Sequence, residues 1–595
     1  MPEALQASRL HTTLKWMFAL SLVICLLSLT GYSYTHHTEG ELSGTGWQQS
    51  GPGGGTSRSP IQKGQSPGGF NRIPIGQNGF GESGLFGTPS DRGGEGDGDG
   101  GGDVGQGVRG DNGGRGFAPD QAGSPRGGGA FQPGGGGRGF GEGRFSGMSG
   151  GWMSPVPLAE PIALAVYAVL AAVLIGFGWR RLYKTRTGLL ALGGGSALRE
   201  PLSRRSTIWL MLGTALLLRI ALVPWTTGYI GDMNYFRNWA TSAAQDFSGF
   251  YVNGSADYPP LLIYFLYLIG KAASLPGMGI FFNSMIKLPS LIADVVTGYL
   301  IYRLASRHVS TRLSFILAAL YAASPAVLVD SAFWGQVDSF FTLLIVLAVL
   351  LITEGRLTWS AALFAAAVMM KPQGIIFTPV LFFEWVRLRS IKHAAAGILA
   401  AIAVVLLLIL PFSSGQDPLW IVKLFQRTIG EYPYASLNAD NFFSLIGANH
   451  KDSSSTFVLF SYQTWGWIFI VLTTAYTWLI YSRIRSREAA FLAALFQIAG
   501  VFTFSTSMHE RYLFPAVALA FCSYLYFKDK RLLWIAAGFS FTVFANTFSV
   551  LYGATGRTGT PSYTYSLMFV SLINVLLVLW LAVIMWQLAY RTSNK

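Results

Sequence analysis

Long apolar runs joined by short polar segments dominate the chain. They lie near residues 16–34, 158–178, 207–225, 286–304, 313–329, 339–353, 358–370, 374–386, 394–412, 466–481, 489–505, 512–527, 531–550 and 566–589. A run of about 20 apolar residues is the length of a membrane-crossing helix. The pattern therefore predicts an all-α polytopic membrane protein of about 14 spans, about 12 of them in one helical bundle. Several runs fall short of 20, and the pair 358–370 and 374–386 reads equally well as one broken element. The run 259–270 has only ten residues between Pro260 and Lys271, too few to cross. As a span it would put the basic loop RLASRHVSTR on the side of the glycine tract described next, so an exterior re-entrant or interfacial helix is expected there.

Composition divides the chain in two. Of 595 residues 51% are hydrophobic and 12% charged, about half the charged share of a soluble domain. Glycine is costly inside helices, yet the chain has 71, of which 42 fall in residues 40–151. Runs such as GGEGDGDGGGD and QPGGGGRGF cannot bury enough apolar surface to offset chain entropy. The acidic stretch 97–103 lacks the repeat spacing of Gly-rich calcium β-helices. The expected organisation is an anchor or signal segment over 1–35, with an uncleaved anchor favoured, then a disordered Gly-rich exterior linker over 36–155. An additional span with a basic cytoplasmic loop follows over 156–206, and a membrane core over 207–595.

The net charge of +14 suggests nucleic acid until its distribution is read. Of the 43 Lys and Arg residues, 24 fall in loops assigned to the cytoplasmic side and nine in exterior loops, counting Lys287 among the latter. Nine lie in the glycine tract, and Arg219 lies within a span. That asymmetry is the positive-inside pattern. It predicts cytoplasmic N- and C-termini, an exterior Gly-rich insert and no nucleic-acid partner. Cys25 and Cys522 both sit in apolar runs, which excludes a disulfide framework.

The same topology places six polar groups on one face: GDMNYFRNWA (231–240), DYPPL (257–261), Asp330 with FWGQVDSF (333–340), MKPQG (370–374), EYPYASLNADNF (431–442) and STSMHERYLFP (505–515). Together they offer carboxylates (Asp232, Asp257, Asp330, Asp338, Glu510), cations (Lys371, Arg511, His509) and aromatics (Tyr235, Trp239, Tyr258, Trp334). A carboxylate can take a hydroxyl proton, and Lys or Arg can neutralise phosphate oxygens. These parts suit transfer from a lipid-phosphate carrier to a hydroxyl acceptor. Each also has a plainer reading. Asp232 can cap a helix, DYPP can start one, and Lys371 and Arg511 can anchor helix ends at headgroups. His509-Glu510 lacks the second His, four residues on, that a zinc peptidase needs.

At these residues the chain resembles the GT-C glycosyltransferases, membrane enzymes that use polyprenyl-phosphate sugars. Asp232 matches their catalytic acidic position, and DYPPL is similar to the Tyr-Pro-Pro element of the glucosyltransferases of N-glycan assembly. FWGQVDSF, MKPQG and MHERYLFP resemble the bacterial mannosyltransferases related to the second mannosyltransferase of GPI-anchor synthesis. The resemblance covers roughly 207–550 and implies a GT-C-like core. It further implies inverting transfer of a hexose, with mannose as the implied sugar, from a polyprenyl-phosphate carrier to a hydroxyl acceptor at the exterior face of a bacterial plasma membrane. Asp232 is then the catalytic base. Arg511, with Lys371 and His509, would stabilise the lipid-phosphate charge. Asp257, Tyr258, Trp334, Gln336 and Asp338 would shape the pocket, and Glu510 is counted with the substrate-binding set. Relatives carry a paired acidic motif where Asp232 is followed by Met-Asn, so no metal and no cofactor is expected. The competing classes are a transporter or flippase of a lipid-linked or anionic solute, whose charges belong at mid-membrane, and a scaffold displaying the glycine tract.

Overall fold

The computed structural model describes residues 2–43, 158–184, 205–254, 256–553 and 564–593. Every apolar run within them is helical. The helices are α1 (Pro2–Ser43), α2 (Ala159–Lys184), α3 (Arg205–Leu222), α4 (Ile230–Gln245), α5 (Pro260–Ala273), α6 (Phe282–His308) and α7 (Thr311–Ala322). After a bent segment, Pro325–Trp334, come α8 (Asp338–Thr353), α9 (Leu357–Val368), α10 (Thr378–Leu388) and α11 (Ile391–Ile409). The amphipathic loop helix α12 (Trp420–Gly430) precedes α13 (Tyr462–Ile484), α14 (Ala489–Phe504), α15 (Pro515–Phe527), α16 (Arg531–Tyr552) and α17 (Tyr565–Ser593). The protein is an all-α polytopic membrane protein. Residues 36–43 of the expected linker continue α1, and the rest of 36–155 lies outside the described residues.

The fourteen expected spans are all present as helices, but fewer have the length and apolarity of a full crossing. Among the described residues seven helices are long and apolar enough to cross, or eight if α7 and Pro325–Trp334, bent by 43°, form one span. The reason is burial. Residues 489–503 of α14 and 515–525 of α15 are buried on every side, as expected of helices that are apolar all round. A helix walled in by protein need not match the bilayer thickness. The window Ile391–Phe412, by contrast, is only 11% buried, so its length is set by lipid. The pair 357–388 is two helices joined by a 3-10 turn, Pro372–Phe377, which carries part of the MKPQG motif.

Helix ends follow local chemistry. The hydroxyls of Ser310 and Ser461 accept from the amides of Leu313 and Thr464 and cap α7 and α13. Pro260 and Pro515 occupy first turns, where a missing N–H costs nothing. α10, α13 and α15 end on Arg389, Arg485 and Lys528, whose φ angles are 50°, 54° and 51°. There buried Glu384 accepts from Arg387 Nε at 2.7 Å, Arg487 Nε at 2.8 Å and Tyr481 Oη at 2.8 Å, joining α10, α13 and the loop before α14.

The expected re-entrant helix is α5, fourteen residues packed along α4. Gly270 allows this approach, since a Cβ there would lie 2.1 Å from the Ala240 carbonyl oxygen. The loop 431–461 folds over the neighbouring segment: Leu437 N–H donates to Met508 O at 3.1 Å, and Ser507 N–H to Tyr434 O at 3.0 Å. Asn546 of α16 and Asn574 of α17 donate to Asn438 O and Asp440 O, both at 2.7 Å, and tie the loop to the bundle.

Candidate active site

Asp232 lies in the first turn of α4, where the helix amides favour a carboxylate. The residues before it are joined to the segment that ends in Trp334. Tyr229 N–H donates to Trp334 O at 2.9 Å, and the two rings stack at 4.5 Å with 19° between planes. Residues Val329–Trp334 form a π-helical turn closed by Gly335 at φ 89°. The amides of Gly335 and Gln336 both donate to Asp330 O, at 3.0 and 3.1 Å. The tight exit aims two donors at one oxygen: Trp334 Nε1 lies 2.6 Å and Gln336 Nε2 2.7 Å from Asp232 Oδ2. Gln336 is oriented in turn by its own Oε1, which accepts from Val337 N–H at 3.1 Å. The Asp232 side chain is 23% exposed, and among the described residues its Oδ1 accepts no hydrogen bond.

Beside the carboxylate lies a buried charge network. Arg511 Nη2 is 3.6 Å from Asp232 Oδ2, and its Nε is 3.4 Å from Asp338 Oδ2. Nη1 is bonded to Glu510, and the guanidinium carbon lies 4.3 Å from the centroid of the Trp334 ring. Asp338, the first residue of α8, also takes the ammonium of Lys371. Lys371 Nζ lies 5.7 Å from the Tyr258 ring centre, and Leu261 N–H donates to Met369 O at 3.0 Å, so DYPPL and MKPQG are held together. His509 Nδ1 is 3.8 Å from Glu510 Oε2. Burial would push the Glu510 carboxyl up, but the Arg511 guanidinium and the His509 ring outweigh it and hold it at about 2. Both strong cations are thus already engaged by carboxylates. His509, 19% exposed against 8% for Arg511 and 2% for Lys371, is the most open of the three.

Nine of the ten residues singled out in the sequence therefore share one linked cluster: Asp232, Tyr258, Trp334, Gln336, Asp338, Lys371, His509, Glu510 and Arg511. Asp257 lies toward the loop side, where its carbonyl oxygen accepts from Thr428 Oγ1 of α12 at 2.7 Å. Asp330, named only as an available carboxylate, is fully buried. Among the described residues no three His, Cys, Asp or Glu side chains are grouped as metal ligands.

Two buried cations outside the ten residues bear on the site, and the first was assigned otherwise from sequence. Lys287, counted with the exterior loops, lies inside α6 and is completely buried. Its ammonium donates to Thr226 O at 3.0 Å, Thr226 Oγ1 at 2.9 Å and Ala332 O at 3.0 Å. It thereby joins the approach to α4 with the π-turn, the two segments that meet at Asp232. An ionisable residue at the start of an apolar run was the available signal. Arg219, the cation within a span, pairs with Asp294 at 3.5 Å, and Asp294 accepts from Ser331 Oγ at 2.7 Å. That pair braces the same π-turn from below.

Residues 257–414 match the family model described as dolichyl-phosphate-mannose-protein mannosyltransferase. No curated protein matches the chain. The matched stretch begins at Asp257 and contains Tyr258, Trp334, Gln336, Asp338 and Lys371, while Asp232 and the 509–511 segment lie outside it. The match supports a polytopic membrane glycosyltransferase of the GT-C type.

Proposed function

We propose that this protein transfers a hexose, mannose in the first instance, from a polyprenyl-phosphate carrier to a hydroxyl acceptor at the exterior face, with inversion. The observation that carries this reading is the asymmetry at Asp232. One oxygen is held by two side-chain donors while the other accepts no hydrogen bond among the described residues. A base positioned in this way takes the acceptor's proton through Oδ1 as the acceptor oxygen bonds to the anomeric carbon. The bond from that carbon to the phosphate oxygen breaks in the same step. The charge left on the lipid phosphate falls to the Arg511, Lys371 and His509 group. Domain boundaries follow: 207–595 as the catalytic core, 156–206 as an added span, and 36–155 as an exterior tether behind the anchor 1–35. Both termini are then cytoplasmic, and the narrower relation to the second GPI mannosyltransferase belongs to this proposal.

The transporter reading has one observation in its favour, the buried Arg219–Asp294 pair. Its bonds to the π-turn make it a brace for Trp334, and the glycosyltransferase remains the better account. Membranes containing the protein, supplied with radiolabelled polyprenyl-phosphate mannose or glucose, are expected to form a labelled product from mannose. No product from either donor, alongside solute flux into vesicles, would reverse the choice.

Within this reading Lys287 is a positioning residue. Lys287→Met is expected to lower kcat about 10- to 100-fold, the scale of a small misplacement of reacting groups, with KM for the donor little changed. Lys287→Arg, which keeps a cation facing Thr226 and Ala332, should recover part of the lost kcat. Loss of folded protein with an unchanged kcat in the remainder would make Lys287 purely structural.

A further inference from the structure

Away from the candidate active site, the ends of α6 and α8 frame a cavity of about 370 Å³. Leu300, Leu304, Leu347, Leu350 and Leu351 form its floor, and Arg303, Arg307, Glu354 and Arg356 its rim. α8 starts inside the active-site cluster at Asp338 and runs sixteen residues to Thr353. At about 1.5 Å per residue this puts the rim about 24 Å from the cluster along the helix, at the other side of the bundle.

The charges on the rim do not cancel. Arg307 Nη1 is paired with Glu354 at 3.0 Å. Arg387 and Arg487 nearby are committed to buried Glu384. Arg303 and Arg356 are exposed, and among the described residues neither is ion-paired. The cleft therefore carries two uncompensated guanidinium groups over a leucine floor. Arginine forms bidentate hydrogen bonds with phosphate, and the leucines offer an apolar bed for acyl chains. A soluble anion has no use for such a floor, so the complementary occupant is a lipid.

We infer that this cleft is a binding site for one anionic phospholipid in the leaflet opposite the candidate active site, with the headgroup phosphate on Arg303 and Arg356. The inference does not depend on the glycosyltransferase reading. The full chain, purified in detergent, is to be examined by native mass spectrometry with palmitoyl-oleoyl phosphatidylglycerol, phosphatidylcholine and inorganic phosphate as probes. One phosphatidylglycerol is expected to stay bound in preference to phosphatidylcholine and to resist millimolar phosphate. R303Q/R356Q should cut its retention about 30-fold, as removal of two near-surface cations implies. R483Q, whose guanidinium instead lies 4.5 Å from the Trp586 ring centroid, should leave retention unchanged. E354Q should raise retention by releasing Arg307, a gain that misfolding cannot imitate. Equal retention of the two lipids, displacement by phosphate, an unchanged R303Q/R356Q, an equal loss in R483Q or a loss in E354Q would each overturn the site.

Discussion

Asp232→Asn is expected to reduce hexose transfer by about 10³- to 10⁴-fold, the upper part of the range for loss of a general base, with unchanged protein level and melting temperature. The amide keeps the shape of the carboxylate, and its oxygen can still accept from Trp334 Nε1 or Gln336 Nε2, which now meet at Oδ2. What it loses is the capacity to take a proton through the second oxygen. Stability should hold because the side chain is 23% exposed and its nearest cation is 3.6 Å away. Transfer from labelled polyprenyl-phosphate mannose, normalised to folded protein, is the measurement. Activity above one tenth of the parent would remove Asp232 from the role of base.

The second large effect belongs to Arg511. Arg511→Gln should lower transfer by about 10²- to 10³-fold, the cost of removing a preorganised charge from a developing anion. It should also destabilise the fold by about 3–5 kcal/mol, because Glu510 and Asp338 lose a buried partner. Arg511 also faces the Trp334 ring, so its loss frees the indole that clamps Asp232. The two effects can be separated with R511Q/E510Q. Neutralising Glu510 should restore much of the melting temperature measured in detergent, while transfer stays low. Recovery of activity together with stability in the double variant would mean that Arg511 serves the fold alone.

These expectations rest on features that were legible in the sequence to different degrees. Hydropathy is written locally, so each run, even the 13-residue pieces around MKPQG, could be read as a helix without knowledge of its neighbours. The ten candidate residues were found by topology: six polar segments shared one side of the charge pattern, and nine of the ten residues meet in one cluster. The pairing inside that cluster was not readable. Lys371 and Arg511 looked like free cations for a phosphate, yet both are bound by Asp338, with Glu510 as a further partner of Arg511. Lys287 looked like a loop cation because it stands at the very start of the run 286–304. One further helical turn inside α6 buries it against Thr226 and Ala332.

The sequence by itself therefore determined an all-helical membrane protein and the few polar segments in which its candidate chemistry collects. Both depend on quantities summed along the chain, apolar length and basic residues at its ends. Tertiary structure alone decided which helices are walled in by protein, as α14 and α15 are along their length. It also decided that Asp232 presents one oxygen free of hydrogen bonds among the described residues. That outcome requires three separate segments to meet, the start of α4, the π-turn with its left-handed Gly335, and buried Lys287 of α6, and no local pattern encodes such a meeting.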